Sequence, residues 1–481
     1  MKNIKKIAAG LTAVSMMASL TACGGGGEGA AVEETTVTTT TQATVEINTA
    51  ELSEEEAEQV AGVAEQLTGE LENKTIKWFS FYDPFHATTA GNRKALSLEL
   101  FEEKYGGEIE YISTTWANRF NDLSTKIVGG EGVDFIAGGD LDSYPKGVAN
   151  GMFDPFDQYV DFDSPLWSGV KDLNDKFELN GNHYIICTAA ATGQVVYYNR
   201  QTIESFGFDD PADLLAEGKW DWDAFKGMLL DYCDADSEQY GLDGWFNEQP
   251  LMLTSGVPSV ELKDGKLVHN FYDANLERSM TFMKELYDNG CTLDKSLFGW
   301  STHVEFIGEG KELFYISGLY EISSAPDIWT KTFGEPEDVM FVPLPKDPQS
   351  DVHYLPAGLE AYMLCKGAQN PEGVMKFMEC IIAANTDERT KQIATEQQIN
   401  DYGWTEEMLE MRDTIAEMTN ENPVYDIHAG CPSDMYDIID SGEYGIRAAF
   451  YGHEWATVRD TLVPAVEVYI DEFNAQIETM T

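Results

Sequence analysis

The residues whose chemistry would define an active centre are scattered along this chain rather than clustered. Acidic side chains are abundant, 84 Asp and Glu in 481 residues, so a facing carboxylate pair could be drawn almost anywhere and abundance carries no information about glycoside hydrolysis. In "DADSEQYG" (234–241) acids are spaced like part of a calcium loop, but the glycine falls at the wrong position and the closing Glu is missing. Solvation of a helix end is the expected role there. In "WDWDAF" (220–225) Asp221 and Asp223 stand where a helix begins, a place that favours negative charge. The seven histidines include no His-x-x-x-His pair, and the cysteines include no Cys-x-x-Cys. Phosphate-loop and Gly-x-Ser-x-Gly patterns are missing too. Neither metal nor cofactor is expected, and no catalytic residue is assigned.

What the sequence does provide is a scaffold that gathers loops. "TIKWFSFYD" reads as a strand, "NRKALSLELFEEKYGG" as a helix stopped by glycine, "EIEYIST" as a strand, "WANRFNDLSTKIVGGEG" as a helix and "VDFIAGGD" as a strand. That alternation predicts a parallel sheet with helices on its faces, and such sheets collect ligands at the carboxyl ends of their strands. Those ends fall at 81–85, just before Trp116, and at 138–142. With 43% hydrophobic and 12% aromatic residues, the chain can fill two domains.

Farther along, the order of several stretches resembles extracellular solute-binding proteins of family 1, the sugar-binding components of ATP-driven importers, of which maltodextrin-binding proteins are examples. "DLSTKIVGGEGVDFIAGGDLDSYPKGVANGMFDPFDQYV" is similar to their first lobe, and "IICTAAATGQVVYYNRQTIESFGF" to the crossing into the second. The likeness continues through "GKWDWDAFKGMLLDYCDADSEQYGLDGW", "GEGKELFYISGLYEI", "VMFVPLPKD" and "LPAGLEAYMLCKGAQNPEGVMKFMECIIAA". It implies an α/β, two-lobed periplasmic-binding-protein-like fold of type II with the ligand cleft between the lobes. Lobe 1 would comprise 74–188 and 350–395, and lobe 2 residues 189–349 and 396–481.

The same resemblance implies a sugar-binding role. Physical chemistry agrees, because aromatic rings stack on apolar sugar faces while carboxylates and amides bond the hydroxyls. Tyr82, Asp83 and Phe85 occupy the loop after the first strand, with Trp116 after the second and Asp140 and Asp142 after the third. The family's aromatic segment falls on Trp245, Phe246 and Asn247. Tyr320 stands where relatives often have Trp, Gly358 lies in the returning segment, and Trp455 resembles a stacking Trp on a late helix. Trp220, by contrast, is expected in the core. A receptor for another polar solute, such as a peptide, shares the same shell.

The beginning of the chain adds a tether. Lys2, Lys5 and Lys6 precede an apolar run, Ile7 to Leu20, too short to span a bilayer, and Leu20-Thr21-Ala22-Cys23 resembles the bacterial lipobox. The expectation is a leader over 1–22, lipid on Cys23, a Gly/Thr-rich spacer over 23–50 and an acidic helical extension over 51–73. Ser53 and Glu56 would form a capping box there, with Val60, Val63 and Leu67 on the apolar side. This makes a monomeric lipoprotein on the outer side of the cell membrane whose partners are a small solute and the permease subunits. The formal charge of −53, more negative once the three leader lysines are removed, disfavours nucleic acid. Six cysteines remain after Cys23, and the sequence selects no disulfide among them. Cys187, Cys365 and Cys380 sit in apolar runs and are expected as buried thiols.

Overall fold

A computed structural model of the chain describes residues 52–87, 93–244, 247–299 and 301–480. Cys23, the leader, the spacer, Trp245 and Phe246 lie outside the described residues. The description begins with the acidic extension, where α1 (Glu54–Ala64) opens with both hydrogen bonds of the Ser53/Glu56 capping box and buries Val60 and Val63. This helix packs on α2 (Leu96–Tyr105) and on the helix Glu388–Tyr402. Glu56 lies within 3.7 Å of Arg93, and Gln66 donates to Asp387. The extension is therefore part of the folded body.

Thirteen strands follow among the described residues. They are β1 (Thr75–Ser80), β2 (Glu108–Ser113), β3 (Phe135–Ala137), β4 (Phe153–Asp154), β5 (Ile185–Thr192), β6 (Gln194–Asn199) and β7 (Leu242–Gly244), then β8 (Val260–Lys263), β9 (Lys266–His269), β10 (Phe314–Gly318), β11 (Val339–Pro343), β12 (Leu355–Cys365) and β13 (Pro423–Val424). The first sheet runs β13-β12-β3-β1-β2, and β4 and β5 also pair with β12. Strands β1, β2 and β3 are parallel, as the strand and helix alternation requires, with α2 and α3 (Arg119–Gly129) between them. β12 returns antiparallel to β3, so its first residues lie near the carboxyl ends of the parallel strands. A second sheet has the order β11-β6-β10-β7, and β8 and β9 form a separate hairpin.

Both faces of the first sheet are covered, which explains its apolar strands. Ile76, Trp78, Ile109, Phe135 and Leu364 pack with α1, α2 and the helix Pro371–Thr386. Phe79, Ile136, Ile185 and Met363 point the other way, into a core that continues to Tyr197, Phe314 and Phe341 of the second sheet. The crossing from one sheet to the other is a single residue, Gly193, between β5 and β6. A Cβ there would lie 2.4 Å from the Pro356 carbonyl oxygen, so only glycine fits. The segment after 396, expected with the second lobe, also gives β13 to the first sheet, where Leu355 is opposite Pro423.

Local signals hold where they are local. Asp221 caps the helix Trp222–Tyr232 by accepting from the N–H groups of Asp223 and Ala224. Trp220 is 2% exposed and donates to the Pro343 carbonyl. Asp234 accepts from the Asp236 N–H and the Ser237 hydroxyl, closing the 234–239 turn. Among the described residues no group of His, Cys, Asp and Glu has metal-binding geometry, and no helix is long and apolar enough to cross a membrane.

Candidate functional site

The carboxyl ends of β1, β2 and β3 place their loops side by side. Trp78, buried in β1, donates its indole N–H to the Tyr82 carbonyl and so fixes the loop that follows. Tyr82 is exposed, its ring against Phe81, which in turn meets Trp116 edge-on at 5.0 Å. Arg119, in the first turn of α3, lies 3.4 Å over the Trp116 ring. Its Nε and Nη2 donate to one oxygen of Asp142, at 3.2 and 2.6 Å. The guanidinium thus holds one face of Trp116 and aligns Asp142, while the indole remains half exposed.

Asp140 has no hydrogen-bond partner among the described residues. Its side chain is exposed but crowded by the neighbouring loops, and the resulting desolvation, helped by the Asp142 carboxylate, pushes its pKa up to about 6 against the pull of Arg119. Tyr82, exposed at its ring yet desolvated by the loops around it, is pushed up to about 12, by that desolvation first and then by Asp140, Asp142 and Glu360. Among the described residues the Tyr82 hydroxyl and the second oxygen of Asp142 are unpartnered as well. These groups rim a small depression of about 40 Å³ with Phe79, Ala137 and Phe120. Gly139 lets β12 approach the loop after β3 closely, because a Cβ there would sit 2.1 Å from the Leu359 carbonyl oxygen.

The opposite wall comes from the second sheet. Tyr320 follows β10, is exposed, and feels the Asp140 carboxylate as one cause of its raised pKa, after burial. Ser317 donates to Glu321 at 2.8 Å and holds this turn. Asn247 follows β7, is 4% exposed, and its amide oxygen has no partner among the described residues. Gly358 sits in β12 opposite Ala191 of β5, at the crossing. Tyr82, Trp116, Asp140, Asp142, Tyr320, Asn247 and Gly358 therefore lie at strand ends or the crossing. The placement of Trp245 and Phe246 lies outside the described residues.

Three expectations are corrected. Phe85 is 3% exposed and packs on Trp78 and Phe377, so its ring belongs to the core. Trp455 is 4% exposed, donates to the Phe271 carbonyl at 3.2 Å and meets the Phe271 ring edge-on. Neither ring has a free face for a solute. Asp83 is occupied by its own turn, accepting from the N–H groups of Phe85 and His86 with one oxygen and lying 2.8 Å from His86 Nδ1 with the other.

Two site residues went unnoticed in the sequence. Arg119 carried a weak signal, three residues after Trp116 on a helix, the spacing that lets side chains meet. Glu360 carried none. It lies within an apolar strand, accepts from Asn385 at 2.5 Å, and burial raises its pKa. A separate cavity of about 770 Å³ opens between the 175–181 turn, the β8–β9 hairpin, Tyr354 and the end of the helix Trp455–Glu478. None of the loops carrying Tyr82, Trp116 or Asp140 reaches it.

Two α/β units joined by a short crossing, with polar groups and aromatic rings facing each other at the strand ends, define a two-lobed solute receptor. The chain belongs to the bacterial extracellular solute-binding proteins, whose family model matches residues 98–398. The family is extracytoplasmic, and its members bind solutes. The fold is similar to an ABC transporter solute-binding protein from Thermotoga lettingae bound with alpha-D-tagatose, with a TM-score of 0.58, 14% identity, and coverage of 84% of this chain and 100% of that one. It is similar to a Listeria monocytogenes ABC substrate-binding protein in complex with cycloalternan, at TM-score 0.58, 13% identity and coverage of 85% and 100%. A cyclic alpha-maltosyl-1,6-maltose binding protein from Arthrobacter globiformis aligns at TM-score 0.60, 11% identity and coverage of 83% and 99%. Among curated proteins none is significantly similar in sequence.

Proposed function

We propose that this protein is the receptor of an ATP-driven importer, that it binds a mono- or oligosaccharide by closing its two lobes, and that it passes the sugar to the permease. The observation that carries the reading is the meeting of unpartnered polar groups with exposed rings. Tyr82 Oη, Asp140 and one oxygen of Asp142 have no partner among the described residues, while Trp116, over Arg119, and Tyr320, within the field of Asp140, stand exposed. Sugar hydroxyls supply the missing donors and acceptors, and the sugar's C–H face suits the rings. The solved structures of similar fold support the ligand class, since one is bound with alpha-D-tagatose, one with cycloalternan, and a third is a cyclic alpha-maltosyl-1,6-maltose binding protein. Lipid on Cys23 and the Gly/Thr spacer would keep the receptor near its permease at high effective concentration. In this reading the two lobes are built around the two sheets, with the β5–β6 link and the start of β12 as the hinge.

A thermal-shift screen across a library of mono- and oligosaccharides, with chromatography of the recovered sugar, tests this. A raised melting midpoint with intact sugar is the expected result. Shortened sugar would mean hydrolysis, and stabilisation by peptides but by no sugar would mean another polar solute.

A further inference from the structure

The described chain holds six free cysteines, and four of them are isolated. Cys187, Cys365, Cys380 and Cys431 are fully buried among apolar neighbours, and burial pushes each thiol up. None of the four interacts with another thiol. Cys233 and Cys291 differ. Cys233 caps the carboxyl end of the helix Trp222–Tyr232 and is partly exposed, and Cys291 follows the helix Ala274–Asp288 and is buried. The chain passes between them at Gly241, whose φ of +81° only glycine adopts readily. A Cβ on Gly241 would lie 2.4 Å from Cys233 Sγ and 2.5 Å from the Cys291 carbonyl oxygen, so the two cysteines crowd the same small space. The Cys291 carbonyl is fixed there by accepting from the Leu242 N–H at 2.9 Å.

We propose that Cys233 and Cys291 form a disulfide in the mature protein, made by exchange with a disulfide oxidant outside the cytoplasm. The extracytoplasmic location that the family gives is a compartment where such bonds persist. The accessible partner acts first. The Cys233 thiolate attacks one sulfur of the oxidant RSSR, forms a mixed disulfide, and releases RS⁻, which takes up the proton that Cys233 lost. The buried Cys291 thiolate then attacks Cys233 Sγ, forming the internal S–S bond and breaking the bond to SR. The second RS⁻ takes the Cys291 proton. The protein pair loses two electrons, and the oxidant becomes two thiols. In the reduced pair the shared hydrogen bond raises the pKa of the Cys233 thiol and lowers that of Cys291, so exposure and not acidity makes Cys233 the first to react. The bond would close the loop that contains β7 and Asn247, and so would brace one wall of the cleft.

The test is differential alkylation of the full-length protein followed by peptide mass spectrometry. Thiols are blocked with iodoacetamide in denaturant without reductant, and the sample is then reduced and labelled with a maleimide. Cys233 and Cys291 should carry only the second label, and Cys187, Cys365, Cys380 and Cys431 only the first. The unreduced digest should contain one crosslinked peptide pair, absent from Cys291→Ser, in which Cys233 reacts in the first step. Reduction should lower the melting midpoint of the wild type by a few degrees and leave that of Cys291→Ser unchanged. If Cys233 and Cys291 both take the first label after equilibration with oxidised glutathione, or if either is linked to one of the other four, the proposal fails. Because this readout needs no sugar, it is independent of the ligand assignment.

Discussion

Asp140 offers a perturbation whose size the structure sets. Its pKa of about 6 means that near pH 7 roughly ten molecules carry the carboxylate for each that is protonated, and near pH 5 the ratio inverts. A carboxylate accepts hydroxyl hydrogen bonds far better than a carboxylic acid does, so sugar affinity should fall about tenfold between these two pH values. Asp140→Asn keeps the shape and removes the titration. Isothermal calorimetry at both pH values, using the sugar found by thermal-shift screening, should show the step in the wild type and a flat profile in the variant. The stability of the empty protein should move the opposite way. Because desolvation by the surrounding loops raises the folded pKa above the ordinary carboxylate value, this group's contribution to stability is fully present below about pH 4 and is lost as the pH rises through about 6. Acidification should therefore favour the empty fold at this residue while it weakens binding. Equal affinities and equal pH slopes in wild type and variant would remove Asp140 from the site.

Other consequences can be checked alongside. Trp116→Ala and Tyr320→Ala should each weaken sugar binding by roughly 1 to 3 kcal/mol with little change in urea midpoint, since both rings are exposed; wild-type affinity in both would overturn the two-walled cleft. Trp455→Ala should do the reverse, costing about 3 to 5 kcal/mol of stability in urea unfolding while calorimetry shows unchanged affinity. Removing the chain before residue 74 should lower the thermal midpoint, because Val60, Val63, Leu67 and Leu71 are buried against the folded body, whereas a freely solvated extension would leave it unaltered. Cys23→Ala should release the protein from membranes with its affinity intact, and retention after a high-salt wash would place the anchor elsewhere.

How much of this was legible in advance depended on the range of the interaction. The capping box of Ser53 and Glu56, the Asp221 cap and the glycine stop after α2 are set by residues a few positions apart, and the sequence shows them directly. Strands β1, β2 and β3 were legible because β-branched and aromatic runs alternate with helical spacing. From that alternation the ends carrying Tyr82, Trp116 and Asp140 follow by topology alone. Trp116 and Trp455 show the limit. Each stands near the start of a helix in similar company, yet one is half exposed over Arg119 and the other is sealed against Phe271. Periodicity cannot tell an open face from a covered one when the cover comes from more than 180 residues away.

By itself, then, the sequence determined the element order, the caps, the acidic surface and the strand ends where a solute would meet the chain. Each of these depends on local backbone preference or on composition. Tertiary structure alone decided that Glu360 joins Tyr82 and Asp140, that Asp83 is consumed by its own turn, and that Cys233 finds Cys291 among six cysteines. Those outcomes depend on distances between segments remote in the chain. Such distances are fixed only when the sheets pack and their burial selects which polar groups are left without partners.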